Sequence, residues 1–405
     1  MKIISFEESM FNLINIEKKD VYIKTKDEKI TKGYFGYHNY NLHFFFCVNN
    51  NSDKEEKVNF YINTKKGDNL KKNFKWLWVS NEKLKNYEKI FIKGKMNGKG
   101  KYKFKLRIPE KKELYIANYI PKDFKSIINN IKNISKNKGA NINIFGKSIE
   151  KRPLYSIEFG NPYKKPTLIF LTGYHPPEMD IIISEEIIKK IKKSYINKII
   201  DNFSVVIIPF INPDGYYNYL QGSNKNEINF HWKFFGNTKE NCPESFYLWE
   251  YCKRIKPIFY MDFHMFTFQD KNKKSYNIPT IYLKTNKAKK IQNEINLMLN
   301  NICNKNDKII EKFFISKKIL SPIILATKLR EKYGTVTSPK FHFHLRYGEE
   351  TCRNEGIIIF NNILKIFEDN MPLKENDLKE KNKIHEYYNN YKYYILKYIN
   401  FNLRK

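Results

Sequence analysis

The chain has 405 residues, enough for two or three domains and a sizeable core. Lys and Arg number 74 against 42 Asp and Glu, a formal charge of +32, yet the bases are scattered among abundant Asn, Ile, Tyr and Phe. Scattered charge is not the footprint of a nucleic-acid binder, so nucleic acid is set aside as a partner, whereas attraction of an acidic substrate fits. No run approaches the roughly 18 apolar residues of a membrane span. The opening Met1-Lys-Ile-Ile-Ser-Phe-Glu-Glu-Ser9 has acids where a secretory leader needs bases. Five widely spaced cysteines without metal-type spacing suit a reducing compartment. The expectation is a cytoplasmic protein with no membrane partner.

Residues 1–115 read as a small all-β sandwich. Alternating or aromatic runs recur at Val21–Thr25, Leu42–Val48, Val58–Asn63, Phe74–Val79 and Tyr102–Arg107. Turn signals such as Asn50–Asp53 and Asn97–Gly100 separate them. Pro121 opens a helix that Lys138-Gly139 stops. Over residues 116–370 the pattern alternates strand and helix. Strands are predicted at Asn141–Phe145, Leu154–Phe159, Thr167–Thr172, Phe203–Phe210, Ile258–Phe263, Thr280–Leu283 and Lys340–Tyr347. Helices are predicted over 180–198, 243–254, 286–303 and 355–368. This is the signature of an α/β domain with a mixed, mostly parallel sheet flanked by helices. Residues 371–405 form a basic, Tyr-rich tail whose rough helical period reads as a docked surface helix.

One stretch carries chemistry. Gly173-Tyr-His175-Pro-Pro-Glu178 stands between the apolar strand 167–172 and the helix after it. Imidazole nitrogen and carboxylate oxygen are ligands that zinc takes in catalytic sites, with a third ligand and one open position. His264, closing the apolar run Ile258-Phe-Tyr-Met261, is the candidate third ligand. Both histidines follow strands, where open α/β sheets gather their sites. Asn212-Pro-Asp-Gly215 ends a further strand between them.

In order along the chain, Tyr115–Tyr119, Gly146–Leu154, His175–Glu178, Ile208–Gly215, Phe259–His264 and Tyr347–Arg353 resemble the zinc metallocarboxypeptidases. The similarity is to their carboxypeptidase-A-like, cytosolic branch, over about residues 110–365, and the β domain resembles the one that precedes the catalytic domain there. The resemblance implies Zn2+ held by His175, Glu178 and His264, and hydrolysis of a peptide or amide substrate by a metal-activated water in the cytoplasm. It also exposes departures. Gly222 stands where the family carries an Arg, His231 and Trp232 stand where an Asn-Arg pair binds the substrate carboxylate, and Arg346 stands where the catalytic Glu belongs. The substrate-binding positions are therefore Arg346, His231 and Trp232, with Asn212.

The late strand offers replacements for the base. Alternation puts His342, His344 and Arg346 on one face and Phe341, Phe343, Leu345 and Tyr347 on the other. In the family register Arg346 is a cationic clamp, and His344, titrating near about pH 6.5, is a candidate base. A bulge beside Gly348 would instead swing Glu349 or Glu350 inward. Two readings follow: an active zinc hydrolase, or a zinc-retaining pseudoenzyme that binds a peptide or anionic ligand without cutting it.

Overall fold

A computed structural model describes residues 2–6, 8–29, 32–33, 36–37, 43–63, 76–92, 95–96, 101–231, 233–234, 236–266, 276–277, 283, 285–305, 314–315, 325–344 and 348–372. The N-terminal region is built on two five-stranded sheets. The first runs Lys2–Ile4, Phe45–Asn50, Lys112–Ala117, Trp76–Ser80, Glu88–Phe91. The second runs Lys95–Met96, Lys101–Ile108, Glu56–Asn63, Asp20–Thr25, Phe11–Glu17. Each run predicted as a strand here overlaps one, while Phe11–Glu17, Glu88–Phe91 and Lys112–Ala117 are strands that the sequence reading did not single out.

Side-chain alternation decides how the layers stack. Phe44, Phe46, Leu77, Val79 and Ile116 meet Val58, Phe60, Ile62 and Phe104 between the sheets, and the Phe60 and Phe104 rings stack with centroids 5.1 Å apart. The intervening Phe45, Trp76, Trp78 and Ala117 face away and join the core of the α/β region. The first sheet is thus buried on both faces, which explains why Phe44-Phe-Phe-Cys-Val48 carries no polar residue. The sandwich reaches Ala117, and one of its pairings, Asp20–Thr25 with Glu56–Asn63, is parallel.

The α/β region holds a six-stranded mixed sheet in the order Asn141–Lys147, Pro153–Phe159, Ser204–Ile208, Thr167–Leu171, Phe259–Phe266, Val336–His344. The last four are parallel. Leu168, Phe170, Val205, Ile207, Phe259 and Met261 face one core, shared with the helices Phe124–Asn137, Ile181–Lys190, Asn286–Lys305 and Glu349–Asp369. Ile169, Leu171, Val206, Ile208 and Tyr260 face the other, shared with Pro243–Ile255 and Leu325–Tyr333. Gly356 lets the last helix close on Ile181–Lys190, since a Cβ there would lie 2.5 Å from Ile183 Cγ2.

Several boundaries differ from the sequence expectation. The single helix predicted over 180–198 is two, Ile181–Lys190 and Lys193–Asn202. Ile191 leaves the helix at ψ 124, its carbonyl accepts from Lys138 Nζ at 2.8 Å, and the break lets Ile191 and Ile196 reach the same core. The last helix begins at Glu349 rather than Glu355. The short helices Pro213–Tyr217 and Leu325–Tyr333 had no clear sequence signal. Of the strand predicted at Thr280–Leu283, residues 280–282 lie outside the described residues, as do residues 345–347 and the tail from 373 onward.

Candidate metal centre

Topology sets the place. From Thr167–Leu171 the chain moves to Ser204–Ile208 on one side and then to Phe259–Phe266 on the other. Such a reversal opens a crevice beyond the carboxyl ends of the strands. Gly173 makes the exit turn at φ +81, and a Cβ there would lie 2.5 Å from Phe210 Cα, so glycine is required. Asp180 pins this turn by accepting from Gly173 N at 3.0 Å and Tyr216 Oη at 3.1 Å. Burial, with Glu178 close by, pushes the Asp180 carboxyl up to about 7.

His175 then caps a single 3-10 turn, Pro176–Glu178. Proline suits the first turn because its missing N–H would have no partner there. Glu178 N donates to His175 O at 3.0 Å, and the turn brings Glu178 Oε1 to 3.1 Å from His175 Nδ1. His264 arrives from the neighbouring strand with Nδ1 2.7 Å from Glu178 Oε2. Donor atoms of His175, Glu178 and His264 all lie within 4.8 Å of one another. Although 86 residues separate Glu178 from His264, the fold makes them neighbours.

These residues fit a zinc ion. Two imidazoles and one carboxylate form a three-ligand set found in catalytic zinc sites. The ring is turned as a metal needs it. Asn229 Oδ1 can only accept, and it lies 3.2 Å from His175 Nε2, so Nε2 donates there and Nδ1 is the nitrogen turned to Glu178, the one that would hold a metal once its proton is displaced. Burial opposes charge on His264, but Glu178 and Asp262 outweigh it and raise its pKa to about 9. Burial likewise opposes ionisation of Glu178, and the two histidines overcome it, holding this carboxyl well below its ordinary range. In the metal-free state, protons therefore balance the Glu178 charge, and a cation would displace them. The histidine side chains are 4 % and 0 % exposed while Glu178 keeps 14 %, so the cluster opens towards solvent on the Glu178 side.

A second polar group adjoins the first. Asp262 Oδ2 lies 3.7 Å from His231 Nδ1 and 3.8 Å from His264 Nε2. The rings of His231 and His264 have centroids 4.7 Å apart, and Tyr174 packs against both. His231, predicted as a substrate-binding position, thus stands beside the ligand cluster, 4 % exposed.

The other predicted positions fall elsewhere. Asn212 is an N-cap: its Oδ1 accepts from Gly215 N at 3.0 Å, and its Nδ2 donates to Tyr174 O and Ser223 O at 3.0 and 2.8 Å. Its amide therefore holds the two loops around His175 together. Glu349 forms ion pairs with Lys122 at 2.7 Å and Arg353 at 2.8 Å. Burial raises its pKa and these two cations overcome that, leaving it lowered. Glu350 is exposed on the first turn of the same helix. The backbone of His344 pairs with Phe266, and His342 lies in register with His264. Trp232 and Arg346 lie outside the described residues.

Sequence reasoning passed over Asn229, Asp262 and Asp180 as site residues. Asp262 was readable, because it stands two residues before His264 on one strand and shares its face. Asn229 carried no local signal, since only the fold brings it to His175.

Comparison with known proteins agrees with this architecture. Residues 127–265 match the family model described as zinc carboxypeptidase, a span that includes His175, Glu178 and His264. No curated protein sequence matches the chain. Among solved structures, a metallo-carboxypeptidase from Burkholderia cenocepacia aligns over 91% of this chain and 99% of its own, with TM-score 0.71 and 14% identity. A metallo-carboxypeptidase from Pseudomonas aeruginosa, in complex with (2-guanidinoethylmercapto)succinic acid, aligns over 92% of this chain and 100% of its own, with TM-score 0.71 and 12% identity. At that identity these structures carry the fold, and the alignment takes in the β region as well as the α/β region.

Proposed function

We propose that this chain, whose α/β region belongs to the zinc carboxypeptidase family, is a zinc hydrolase that cuts a peptide or amide bond. The observation that carries the reading is the convergence of His175, Glu178 and His264 donors within 4.8 Å at the mouth of the sheet. Bound zinc supplies a Lewis acid that polarises a carbonyl and makes water acidic enough to attack it near neutral pH. The protein's part is orientation. Asn229 orients the His175 ring, Asp180 and Asn212 hold the turn that carries it, and Tyr174 and His231 wall the ligand cluster.

The chain's charge of +32 suits an acidic peptide substrate. Cys47, Cys242, Cys252 and Cys352 are buried thiols outside any disulfide, in keeping with a cytoplasmic setting. Burial pushes the Cys47 and Cys352 thiols up to about 12, so neither is a reactive thiolate at neutral pH. No helix among the described residues is long and apolar enough to cross a membrane.

A second reading, ligand binding without hydrolysis, is favoured by one observation: the Glu349 carboxylate is already engaged by Lys122 and Arg353. One experiment separates the two. The purified protein is loaded with one equivalent of Zn2+ and incubated with a peptide library, and new termini are sought by mass spectrometry. Hydrolase activity predicts products that vanish in His264→Ala. Zinc binding with no products would favour the second reading, and a wild type that takes no zinc would sink both.

A further inference from the structure

We infer that the N-terminal β region is a working part of the metal centre, and that Glu28 within it is a positioning residue for His175. The inference rests on the zinc reading above.

The segment 221–229 lies between the two regions. Its first residues are held from the β side. Glu28, 4 % exposed, accepts from Gln221 N through Oε1 and from Ser223 Oγ through Oε2, the latter at 2.6 Å. Gln221 is also clasped at its side chain, where Nε2 donates to His43 O at 2.7 Å and Oε1 accepts from His43 N at 2.8 Å. Both partners belong to the β region, and Gln221 is 178 residues from His43. Further out, Lys29 N donates to Glu227 Oε1 at 3.2 Å.

The other side of the same segment touches the metal centre. Asn212 Nδ2 donates both to Ser223 O at 2.8 Å and to Tyr174 O at 3.0 Å, tying residue 223 to the residue before His175. At Gly222 an added Cβ would lie 3.8 Å from His175 Cδ2, so the segment passes beside the imidazole with about a methyl group's space between them. Asn224 turns the chain by accepting from Ile228 N at 3.0 Å, and the next residue, Asn229, faces His175 Nε2 at 3.2 Å. A polar path therefore runs from Glu28 through Ser223 and Asn212 to Tyr174, and along the backbone from Ser223 to Asn229. Along it, Ser223, Asn224 and Asn212 are fully buried.

Buried polar groups that lose a partner relax towards another one. Removing the Glu28 carboxylate leaves Gln221 N and Ser223 Oγ without their acceptor inside the interface. The segment then shifts, and with it the two contacts that orient His175. Groups that orient a metal ligand are worth about 10- to 100-fold in metal affinity when removed. Among the described residues the β region contributes no ligand of its own to the cluster, so its influence is on geometry.

The test compares wild type with Glu28→Ala and Glu28→Gln, using Zn2+ competition against a chromogenic chelator and the visible spectrum of the Co2+-loaded proteins. Glutamine keeps one acceptor oxygen and can donate to the Ser223 hydroxyl. The expected result is Zn2+ affinity lowered at least about tenfold in Glu28→Ala, with shifted Co2+ bands and unchanged circular dichroism. Glu28→Gln is expected to restore both the affinity and the spectrum. Wild-type affinity and spectrum in Glu28→Ala would overturn the inference and leave the zinc reading standing, whereas a wild type that binds no Zn2+ would fail the zinc reading itself. If Glu28→Ala does not fold, Ser223→Ala carries the same test through the hydroxyl alone, and an unchanged Co2+ spectrum there is equally decisive.

Discussion

The two regions of this molecule bury opposite kinds of side chain. Between its sheets the β region buries rings and branched aliphatics: Phe44, Phe46, Phe60, Tyr102 and Phe104 with Val21, Ile23 and Val58. At the ends of its parallel strands the α/β region buries His175, Asp180, Asn212, Asp214, His231, Asp262 and His264. Burying such groups is unfavourable unless each finds partners, so an apolar core would serve stability better. The polar cluster makes sense when the partners include a cation. The contrast teaches that the β region buries apolar surface, which favours stability, while the strand ends gather polar groups suited to binding.

The largest expected effect comes from breaking the polar side. Glu178→Ala removes the acid that both histidines face, and metal content measured by plasma emission should fall from one zinc per chain to near none. Melting of the metal-free protein should change far less than metal content does. If Glu178→Ala still holds a full equivalent, these three residues are not the site.

The apolar side breaks differently. Phe60→Ala leaves a hole beside Phe46 and Phe104 and should lower stability by about 3–5 kcal/mol in urea titration. Zinc stoichiometry in the protein that stays folded should not change. Loss of zinc in step with the cavity would mean that the two regions fold as one unit, and the contrast between them would lose its meaning.

The smallest effect sharpens the seam between them. Burial lifts Glu28 from its ordinary 4.5 to about 7, against the hydrogen bonds from Ser223 and Gln221. Its folded-state pKa is thus raised above the unfolded value, so the folded protein binds the extra proton between those two pH values. Stability should therefore fall as pH rises from 4.5 to about 7, by about 3 kcal/mol, and level off above. Subtracting the Glu28→Gln profile from that of wild type isolates this slope. Identical slopes in the two proteins would show that Glu28 does not titrate in this window.

Much of this architecture could be read directly. The strands Thr167–Leu171 and Ser204–Ile208 announce themselves as apolar runs because both faces of a parallel strand are covered. His175 and Glu178 were legible as candidate ligands because both lie in one short stretch, and a single 3-10 turn folds them together. The helix break at Ile191 was not, since Ile181 to Ile196 keeps an amphipathic pattern and only the shape of the core demands two axes. Glu349 illustrates the limit at the site: from its position it is a candidate base, but Lys122, from a distant part of the chain, claims its carboxylate.

By itself, then, the sequence determined most of the strands and longer helices, the all-β and α/β character of the two regions, and the three residues with donor atoms suited to a metal, His175, Glu178 and His264. These are properties of local pattern: side-chain period, turn residues, and donor atoms at strand ends. Which polar groups support those ligands was decided only in three dimensions. Asn229 reaches His175 across 54 residues, and Glu28 reaches Ser223 across 195. Such pairings depend on how the sheets and loops dock, because a hydrogen bond needs partners within about 3 Å, and that proximity is set by packing.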